Sequence, residues 1–403
     1  MKISIKENIY GLNLDDLMIK GYRANNPKRN FLFISKVLGK HIELKPDVCR
    51  LAGYLLASRL SEDSKLTKNI VKAFKESDYK NINDLFNNSF KCKEDILVLG
   101  FAETATGLGM SVASSIEDSY YLTTTREKIV EIESLLKFEE EHSHATTHKC
   151  FLLDKERLLK AERIILVDDE ITTGKSMLNI IKELKGVTNI KNYTILSILD
   201  WRNKEYLDLY DRFIEEEDID LEVLSLISGE IKIEDATIFY DKEEKFLKEK
   251  IKITNLNNLD RIELKTSHGL ENYIKDSGRF GVEFKDIRNL EEKCKDIAKK
   301  IEKELGYLKK TLVLGHGENI YIPSRIASYL NGEVYFKTTT RSPIYACKEE
   351  LYPIKEKYIF YDNDVKYYFY NKDEIEKNYD RVILLTENDL NIKLTKNISI
   401  FKI

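Results

Sequence analysis

Two consecutive acids followed by a hydroxyl-rich loop form the segment of the chain best suited to chemistry. An apolar run at residues 164–167 leads into Asp168 and Asp169, and the loop that follows precedes a helical pattern. The loop consists of Thr172, Thr173, Gly174, Lys175 and Ser176. A helix N-terminus offers backbone N–H groups and a positive dipole end, so this loop suits a phosphate monoester. Acids beside a phosphate would repel it. We therefore expect Asp168 and Asp169 to hold sugar hydroxyls and Mg²⁺.

Two other interpretations of this segment can be weighed on the sequence. Gly174, Lys175 and Ser176 end like a Walker A loop, but that motif needs a glycine five residues before Gly174, where the chain has Asp169. The nucleotide-loop interpretation therefore fails. In the structural alternative, Asp168 and Asp169 are only a solvated strand end, and the acids, the loop and the helix coincide by chance.

Four apolar residues, two acids and a Thr-Thr-Gly loop in this order resemble the signature of type I phosphoribosyltransferases, which bind phosphoribosyl pyrophosphate (PRPP). The resemblance implies that Asp168 and Asp169 hold the 2- and 3-hydroxyls of the ribose. It also implies that residues 172–176 bind the 5-phosphate. The cofactor it implies is Mg²⁺, held by the two acids directly or indirectly.

Two upstream segments stand where the resembled family binds pyrophosphate. An apolar run at 96–99 precedes a loop of small residues at 101–109, and Thr-Thr-Thr-Arg occupies 123–126. The pyrophosphate contacts implied by the resemblance are Ala102, Thr104, Thr106, Gly107 and Lys128. Glu103 and Arg126 join the two acids as catalytic candidates. The sequence leaves open whether Glu103 or a histidine is the general base for the acceptor.

Two further polar stretches allow more than one function. His142, His144 and His148 lie at the position of the family's mobile loop, where they could contact substrate or transfer protons, bind a transition metal, or be simply solvated. A stretch near the N-terminus belongs either to a hood segment that holds phosphate or acceptor or to a solvated edge. Its cations are Lys28, Arg29, Lys36 and Lys40.

An internal repeat divides the chain. Leu-Val-Leu-Gly occurs at 97–100 and 312–315, a Glu follows each glycine after three residues, and Thr-Thr-Thr-Arg recurs at 123–126 and 338–341, all at an offset of 215 residues. Two related α/β units in tandem explain this pattern. The second copy lacks the acid pair and the Thr-Thr-Gly loop, so we expect no equivalent PRPP binding there. Polar strand-end residues nevertheless predict a second small-molecule site; the candidates are His316, Glu318, Arg341 and Ser342.

Strand and helix patterns indicate how these groups are positioned. Leucine-rich or β-branched runs predict fully buried parallel strands at 96–99, 164–167, 194–199, 311–314 and 382–385. After Ser176, one apolar helix face comprises Met177, Ile180, Ile181 and Leu184. The alternation predicts an α/β fold of two tandem related units, the first a type I phosphoribosyltransferase-like parallel sheet with helices on both faces. We place the first domain at 1–255, with a hood at about 1–60, and the degenerate repeat at 256–403.

Composition excludes several classes of protein. The 403 residues include 65 basic and 69 acidic ones, and the net charge of −4 gives no reason to expect a nucleic-acid partner. No apolar run is long enough for a transmembrane helix, and the N-terminus has no secretory h-region. Five cysteines without a CxxC pair predict neither a metal cluster nor a disulfide framework. We expect a cytoplasmic protein.

Nearly the whole chain is similar to the two-domain phosphoribosyltransferase–TRSP family of the biosynthetic cluster associated with tellurite resistance. The segments that carry the similarity lie at 26–29, 141–144, 276–281, 315–318 and 340–343. The resemblance implies an Mg²⁺-dependent pentosyltransferase that moves the phosphoribosyl group of PRPP to a small-molecule acceptor in the biosynthesis of a nucleotide-like metabolite. The alternatives are a PRPP- or nucleotide-sensing regulator and a hydrolase of phosphoribosyl compounds. A homodimer and a complex with other enzymes of the pathway are both compatible with the sequence.

Overall fold

The computed structural model describes residues 2–24, 30–77, 79, 82–139, 147–232, 238–240 and 244–403. The strands of the N-terminal half are β1 Lys2–Glu7, β2 Met18–Tyr22, β3 Phe31–Ser35, β4 Ile96–Gly100, β5 Tyr120–Thr123, β6 Leu136–Glu139, β7 Thr147–Cys150, β8 Arg163–Ile171, β9 Asn192–Asp200 and β10 Asp220–Lys232. Its helices are α1 Leu14–Leu17, α2 Asp47–Ala57, α3 Ser64–Glu76, α4 Ile82–Phe86, α5 Ala105–Ala113, α6 Lys155–Lys160, α7 Lys175–Val187 and α8 Lys204–Glu217.

The C-terminal half contains more strands and fewer helices. Its strands are β11 Lys245–Phe246, β12 Ile253–Asn255, β13 Arg261–Thr266, β14 Gly269–Ile274, β15 Val282–Glu283, β16 Lys310–His316, β17 Glu333–Thr339, β18 Lys357–Asp362, β19 Val365–Tyr370, β20 Arg381–Thr386 and β21 Ile398–Lys402. The helices are α9 Phe284–Leu305, α10 Tyr321–Tyr329 and α11 Lys372–Asn378, and short 3-10 helices lie at Ser58–Leu60 and Lys275–Ser277.

The first sheet has seven strands in the order β1-β10-β9-β8-β4-β5-β15. The five central strands are parallel, and both edge strands run antiparallel to their neighbours. The central strands carry continuous apolar runs because helices and loops bury them on both faces, as parallel sheets require. One edge strand, β15, comes from the C-terminal half and closes the sheet beside β5.

The second sheet repeats the core of the first. Its order is β12-β21-β20-β16-β17, with every neighbour parallel. The two Leu-Val-Leu-Gly segments occupy equivalent strands, β4 and β16. Each lies between the strand that leads into Thr-Thr-Thr (β5 or β17) and the strand of the later apolar repeat (β8 or β20). The predicted α/β class, with two tandem related units, is therefore confirmed.

The two units are not separate domains joined by a linker, because segments near the boundary and in the hood pair or pack with the second unit. Within the compositionally polar stretch around 241–265, β11 pairs with β18 and β12 pairs with β21, so the chain has already entered the second unit before residue 256. The β2–β3 hairpin of the hood shares a core with the second unit, where Leu32 and Ile34 pack with Ile354 and Tyr368. Contacts therefore cross the predicted boundary in both directions.

A buried ion cluster joins the helices of the two units. The Arg325 side chain is fully buried; its Nε lies 2.9 Å from Glu291 Oε2, and its Nη1 lies 2.8 Å from Asp47 Oδ1. Arg50, on α2 like Asp47, contacts Glu291 at 3.2 Å. Burial alone would raise the pKa of Glu291, but Arg325 and Arg50 lower it to about 2. One carboxylate on α9 thus neutralises arginines from both halves of the chain.

Two expectations from composition can be compared with the structure. Among the described residues, no helix combines the length and apolar character that crossing a bilayer would require. All five cysteines are unpaired thiols.

Replacing Glu291 with Gln should lower the free energy of unfolding by about 3–5 kcal/mol, because two buried arginines lose their shared counter-ion. Urea unfolding followed by circular dichroism measures the change. Since the folded pKa of Glu291 lies below its unfolded value of about 4.3, its contribution is complete above that pH and declines as pH falls towards 2. The exposed neighbour provides the control, Glu292→Gln. Equal urea midpoints for the two variants would contradict this role.

Candidate functional site

The carboxyl edge of the first sheet brings the predicted loops together. Gly100 at the end of β4 pairs in register with Val167 of β8 and with Thr123 of β5. The segments that follow these three strands must therefore emerge side by side. This edge is where open α/β sheets bind ligands.

Asp168 and Asp169 lie beyond the point where β4 ends. The sequence pattern ended this strand at residue 167, but β8 continues to Ile171, paired on this stretch with β9. Both acids are half-buried, and the Asp169 N–H donates to Asp168 Oδ1 at 2.9 Å. The pair therefore stands on a regular strand, which holds the carboxylates more precisely than a free loop would.

The hydroxyl-rich loop turns directly into α7. Residues 172–176 are half-buried, and Gly174 caps the helix with a left-handed φ of 71°. The Tyr210 hydroxyl donates to Gly174 O at 2.8 Å, and a Cβ on this glycine would collide with the same hydroxyl. Only glycine fits both the dihedral angle and the space. The predicted apolar face of α7 is confirmed, because Met177, Ile180, Ile181 and Leu184 are all buried.

The first loop is shorter than its sequence indicated. Only residues 101–104 are loop, and α5 begins at Ala105, so Thr106 and Gly107 lie in its first turn. Gly107 faces the second unit, since a Cβ there would meet the Ile320 side chain at 2.7 Å. The small residues that suggested an extended loop instead allow a helix to pack closely. The Ala102 N–H is donated to Thr124 Oγ1 at 2.8 Å.

Glu103 is buried at the centre of this loop. Its side chain is 1% exposed, and Oε2 accepts from Thr340 Oγ1 at 2.9 Å. The Arg341 N–H donates to Oε1 at 3.2 Å. Two cations flank the carboxylate: Lys40 Nζ at 3.8 Å and Arg126 Nη1 at 4.0 Å. Among the described residues, both groups that donate hydrogen bonds to the Glu103 carboxylate thus belong to the second unit.

Lys40 and Arg126 approach the first loop from different elements. Lys40 Nζ, in the hood, donates to Thr104 Oγ1 at 2.5 Å. Arg126 Nε donates to His148 Nε2 at 3.2 Å, and the other ring nitrogen of His148 lies 3.3 Å from Thr124 Oγ1. His148 was expected on a mobile loop, but it lies on β7 with a buried ring, because it packs between Thr124 and Arg126.

Several other predicted residues lie elsewhere or are not described. His142 and His144, like Lys28 and Arg29, fall outside the described residues. Lys36 Nζ donates to Asp15 O at 2.6 Å within the hood. In the part of the chain that the structure describes, no three His, Cys, Asp or Glu side chains form a group able to hold a metal ion.

A polar cavity of about 190 Å³ lies between the two units at the carboxyl edge of the second sheet. Three of the four residues predicted for a second site line it: His316, Glu318 and Arg341. Ser342 does not, because its backbone turns away to bond Thr340 and Tyr370. Arg126 and Lys128 of the first unit also line this cavity, so both units form its wall.

The charges in this cavity are largely paired with one another. Burial would raise the pKa of Glu318, but Arg341, Arg279 and a hydrogen bond from Thr125 lower it. Arg341 Nη2 contacts Glu127 Oε1 at 3.1 Å. A hydrogen bond from His316 lowers the pKa of Asp362, against the effect of burial.

Sequence analysis missed several residues of this cavity. Arg279 is buried and contacts Glu387 Oε1 at 3.0 Å, and the Tyr367 hydroxyl accepts from Arg341 Nη2 at 2.7 Å. The segment at 276–281 had been noted only as part of a family resemblance. Nothing in the local sequence around Arg279 indicates that its side chain will be buried against Glu387, more than 100 residues later in the chain.

The second unit lacks the helix N-terminus that follows the acid pair in the first unit. Residues 387–397, all of them described, contain no helix between β20 and β21, whereas α7 follows β8 in the first unit. Without a helix N-terminus at this position, the backbone offers no equivalent set of aligned N–H groups. The two repeats therefore differ in the segment that follows their equivalent strands β8 and β20.

Comparison with known families gives two matches. A family model described as a phosphoribosyl transferase matches residues 17–230, which is more than half of the chain. A second model, described as the TRSP domain C-terminal to that transferase, matches residues 276–399. No curated protein matches the chain.

Solved structures give a weaker likeness. Adenine phosphoribosyl transferase from Trypanosoma brucei is 15% identical over 52% of this chain and 76% of its own, with a TM-score of 0.32. Orotate phosphoribosyltransferase from Mycobacterium tuberculosis H37Rv is 12% identical over 52% and 89%, with a TM-score of 0.27. The adenine enzyme from Giardia lamblia is 17% identical over 36% and 75%, with a TM-score of 0.24. Likeness at this level carries no argument about the substrate.

Replacing Gly174 with Ala should lower the melting temperature, because the left-handed dihedral costs about 1–2 kcal/mol and the new Cβ meets the Tyr210 hydroxyl. Gly186→Ala in the same helix is the matched control, since nothing lies within 4 Å of a Cβ there. We expect that control to melt at the same temperature or higher. If Gly174→Ala melts at the same temperature as Gly186→Ala, Gly174 has no special conformational role.

Proposed function

The chain belongs to the phosphoribosyl transferase family, and from that premise we propose that it transfers the phosphoribosyl group of PRPP to a small-molecule acceptor at the carboxyl edge of its first sheet. One observation carries the proposal. Two adjacent acids on β8 lead into a glycine-capped helix N-terminus, so groups suited to a ribose and to its 5-phosphate lie within residues 168–176 of one strand–helix turn.

Each end of this turn has a separate task in the proposal. Asp168 and Asp169 accept hydrogen bonds from the 2- and 3-hydroxyls, for which carboxylates are strong acceptors. The 5-phosphate binds at the start of α7, where Thr172, Thr173 and Ser176 supply hydroxyls and the helix end supplies N–H groups. Gly174 supplies the left-handed turn from which the helix starts. Lys175 adds a positive charge at the same helix end.

The pyrophosphate group of PRPP is proposed to bind at residues 101–104. Within the described part of the chain, the N–H groups of Glu103 and Thr104 have no acceptor, whereas those of Phe101 and Ala102 are bonded internally. Two consecutive N–H groups at the end of a strand form a natural anion site. Lys40 and Arg126 bring positive charge to the same loop.

The donor set also fits Mg²⁺. The ion takes oxygen ligands and is usually bound through one or two carboxylates together with substrate phosphates and waters. Asp168 and Asp169 provide such carboxylates on the strand beside the proposed pyrophosphate loop. When bound, Mg²⁺ would neutralise part of the charge on the pyrophosphate oxygens.

The reaction is a substitution at C1 of the ribose. The bond between C1 and the pyrophosphate oxygen breaks with its electron pair leaving on pyrophosphate, and a lone pair of the acceptor forms the new bond to C1. The acceptor's proton passes to a base or to solvent. Positive charge develops on the ribose ring in the transition state, where Asp168 and Asp169 stabilise it and hold the sugar in place. Lys40 and Arg126 stabilise the departing pyrophosphate.

Trp201 is a candidate for the acceptor side of the site. It directly follows β9, is 5% exposed, and packs against Phe33 of the hood with ring centroids 5.7 Å apart and the ring planes tilted by 41°. Its Nε1–H has no partner within the described residues. A buried indole N–H normally finds an acceptor. We propose that it donates to a ring nitrogen or carbonyl of a planar acceptor.

The proposal extends to the setting of the reaction. The matched TRSP domain resembles that of proteins from a biosynthetic cluster, and we propose a nucleotide-like metabolite as the product and the cytoplasm as its location. A homodimer and a complex with other enzymes of the same pathway are both compatible with this proposal.

The double substitution Asp168→Asn/Asp169→Asn should weaken PRPP binding at least about 100-fold, since two charge-assisted acceptors are lost. Calorimetric titration with PRPP, with and without Mg²⁺, measures this. Asp220→Asn, an exposed acid at the start of β10 and so at the opposite end of the sheet, is the control and should bind like wild type. A folded wild-type protein that does not bind PRPP with Mg²⁺ would refute the proposal.

Product assays on the same purified protein distinguish a transferase from a hydrolase and from a sensing regulator. A transferase consumes PRPP only when an acceptor is supplied and releases pyrophosphate. A hydrolase releases ribose 5-phosphate from a phosphoribosyl compound without any acceptor. A sensing regulator binds PRPP and does not turn it over with any acceptor tried.

A second small-molecule site in the cavity between the units is favoured by one observation. The Asn319 Nδ2 group is buried and has no partner within the described residues, and Asn319 lines this cavity beside His316. Glu271 lines the same cavity, and burial and the neighbouring Asp362 raise its pKa. A small polar ligand with both donor and acceptor groups fits such a wall.

Filling the cavity by Val365→Trp should remove any small molecule retained by the purified protein, because Val365 lines the cavity. Native mass spectrometry compares this variant with wild type and with Val365→Ile, which should retain the ligand. PRPP should still bind to the filled variant with one site per chain. A bound mass that survives in Val365→Trp would place the ligand elsewhere.

A further inference from the structure

One carboxylate of each unit accepts hydrogen bonds from the other unit, and the two sets of bonds are reciprocal. Glu103 of the first unit accepts from the hydroxyl of Thr340 and the N–H of Arg341. Glu318 of the second unit accepts from the hydroxyl of Thr125 at 2.6 Å and from the N–H of Arg126 at 2.8 Å. All three pairs of equivalent residues are separated by the same 215 positions of the sequence repeat.

This pattern is that of a two-fold symmetric interface. In such an interface residue i of one subunit contacts residue j of the other, and j contacts i in return. Here both partners belong to one chain. The C-terminal unit therefore occupies the place that a second copy of the first unit would take in a symmetric dimer.

The second unit contacts the proposed pyrophosphate loop and the first turn of α5 that follows it. Besides Glu103, the Thr106 hydroxyl donates to Glu318 O at 2.8 Å, and Gly107 packs against Ile320. The backbone N–H groups proposed to meet pyrophosphate belong to Glu103 itself and to Thr104. The second unit thus holds the side chain of Glu103, the same residue whose backbone N–H would contact pyrophosphate.

We propose that Thr340 and Arg341 of the C-terminal unit are positioning residues for pyrophosphate binding in the first unit. This inference rests on the proposed function. Two hydrogen bonds from the second unit hold the Glu103 carboxylate at 3.8 Å from Lys40 Nζ and 4.0 Å from Arg126 Nη1. A carboxylate that lost these donors would turn towards the two cations, because a buried charge requires partners. It would then compete with pyrophosphate for them and move the Glu103 and Thr104 amides.

Thr340→Val removes the hydroxyl that donates to Glu103 while keeping the shape of the side chain. We expect this variant to bind inorganic pyrophosphate about tenfold more weakly in calorimetric titrations with Mg²⁺. Ribose 5-phosphate, the second probe, should bind with unchanged affinity because the 172–176 loop is not involved. Thr340→Ser restores the hydroxyl and should restore pyrophosphate binding, a rescue that a general loss of packing would not give.

The control removes a different contact between the halves of the chain. Glu283 bonds Arg157 at 2.8 Å beside the first residue of β5, at the opposite end of the sheet from the loop. Glu283→Gln should bind both probes like wild type. If Thr340→Val binds pyrophosphate as wild type does, or loses both probes equally, the inference fails. If wild type itself binds neither probe, the proposed function fails, and this inference falls with it.

Discussion

Two buried carboxylates decide how the halves of this chain face each other. A carboxylate removed from water needs several hydrogen-bond donors, and those of Glu103 and Glu318 come in each case from the Thr-Arg turn of the opposite unit. Each turn follows a parallel strand, so the carboxyl edges of the two sheets must point towards one another. The cavity between the units and the crowded first loop both follow from that orientation.

Three further contacts between the two units stabilise the same relative orientation. Strand β15 of the C-terminal half completes the first sheet, the hood hairpin packs into the core of the second unit, and the arginine cluster around Glu291 joins the helices behind both sheets. A site that must hold a charged sugar and its leaving group benefits from such support. Misplacement of a reacting group by even about 1 Å can cost a large factor in rate.

The two units share strands but differ in what their loops can do. The first keeps an acid pair and a helix N-terminus after β8, whereas the second has only irregular chain after β20 and fills its edge with mutually paired charges. Related frameworks commonly carry different sites because binding groups lie on the loops and not on the strands. In this chain the second framework contributes contacts to the first loop and a separate polar cavity.

The sequence by itself determined the features that depend on neighbours along the chain. Buried parallel strands, the apolar face of α7, the acid pair followed by a hydroxyl-rich turn into a helix, and the repeat of 215 residues could all be predicted. Each depends on adjacent residues or on a periodic pattern. Only the tertiary structure decided which distant groups meet. It placed the Glu103 carboxylate within hydrogen-bond distance of Thr340 and Arg341, and it buried His148 against Arg126. These contacts arise when two sheets pack edge to edge, and no local spacing of residues records that packing.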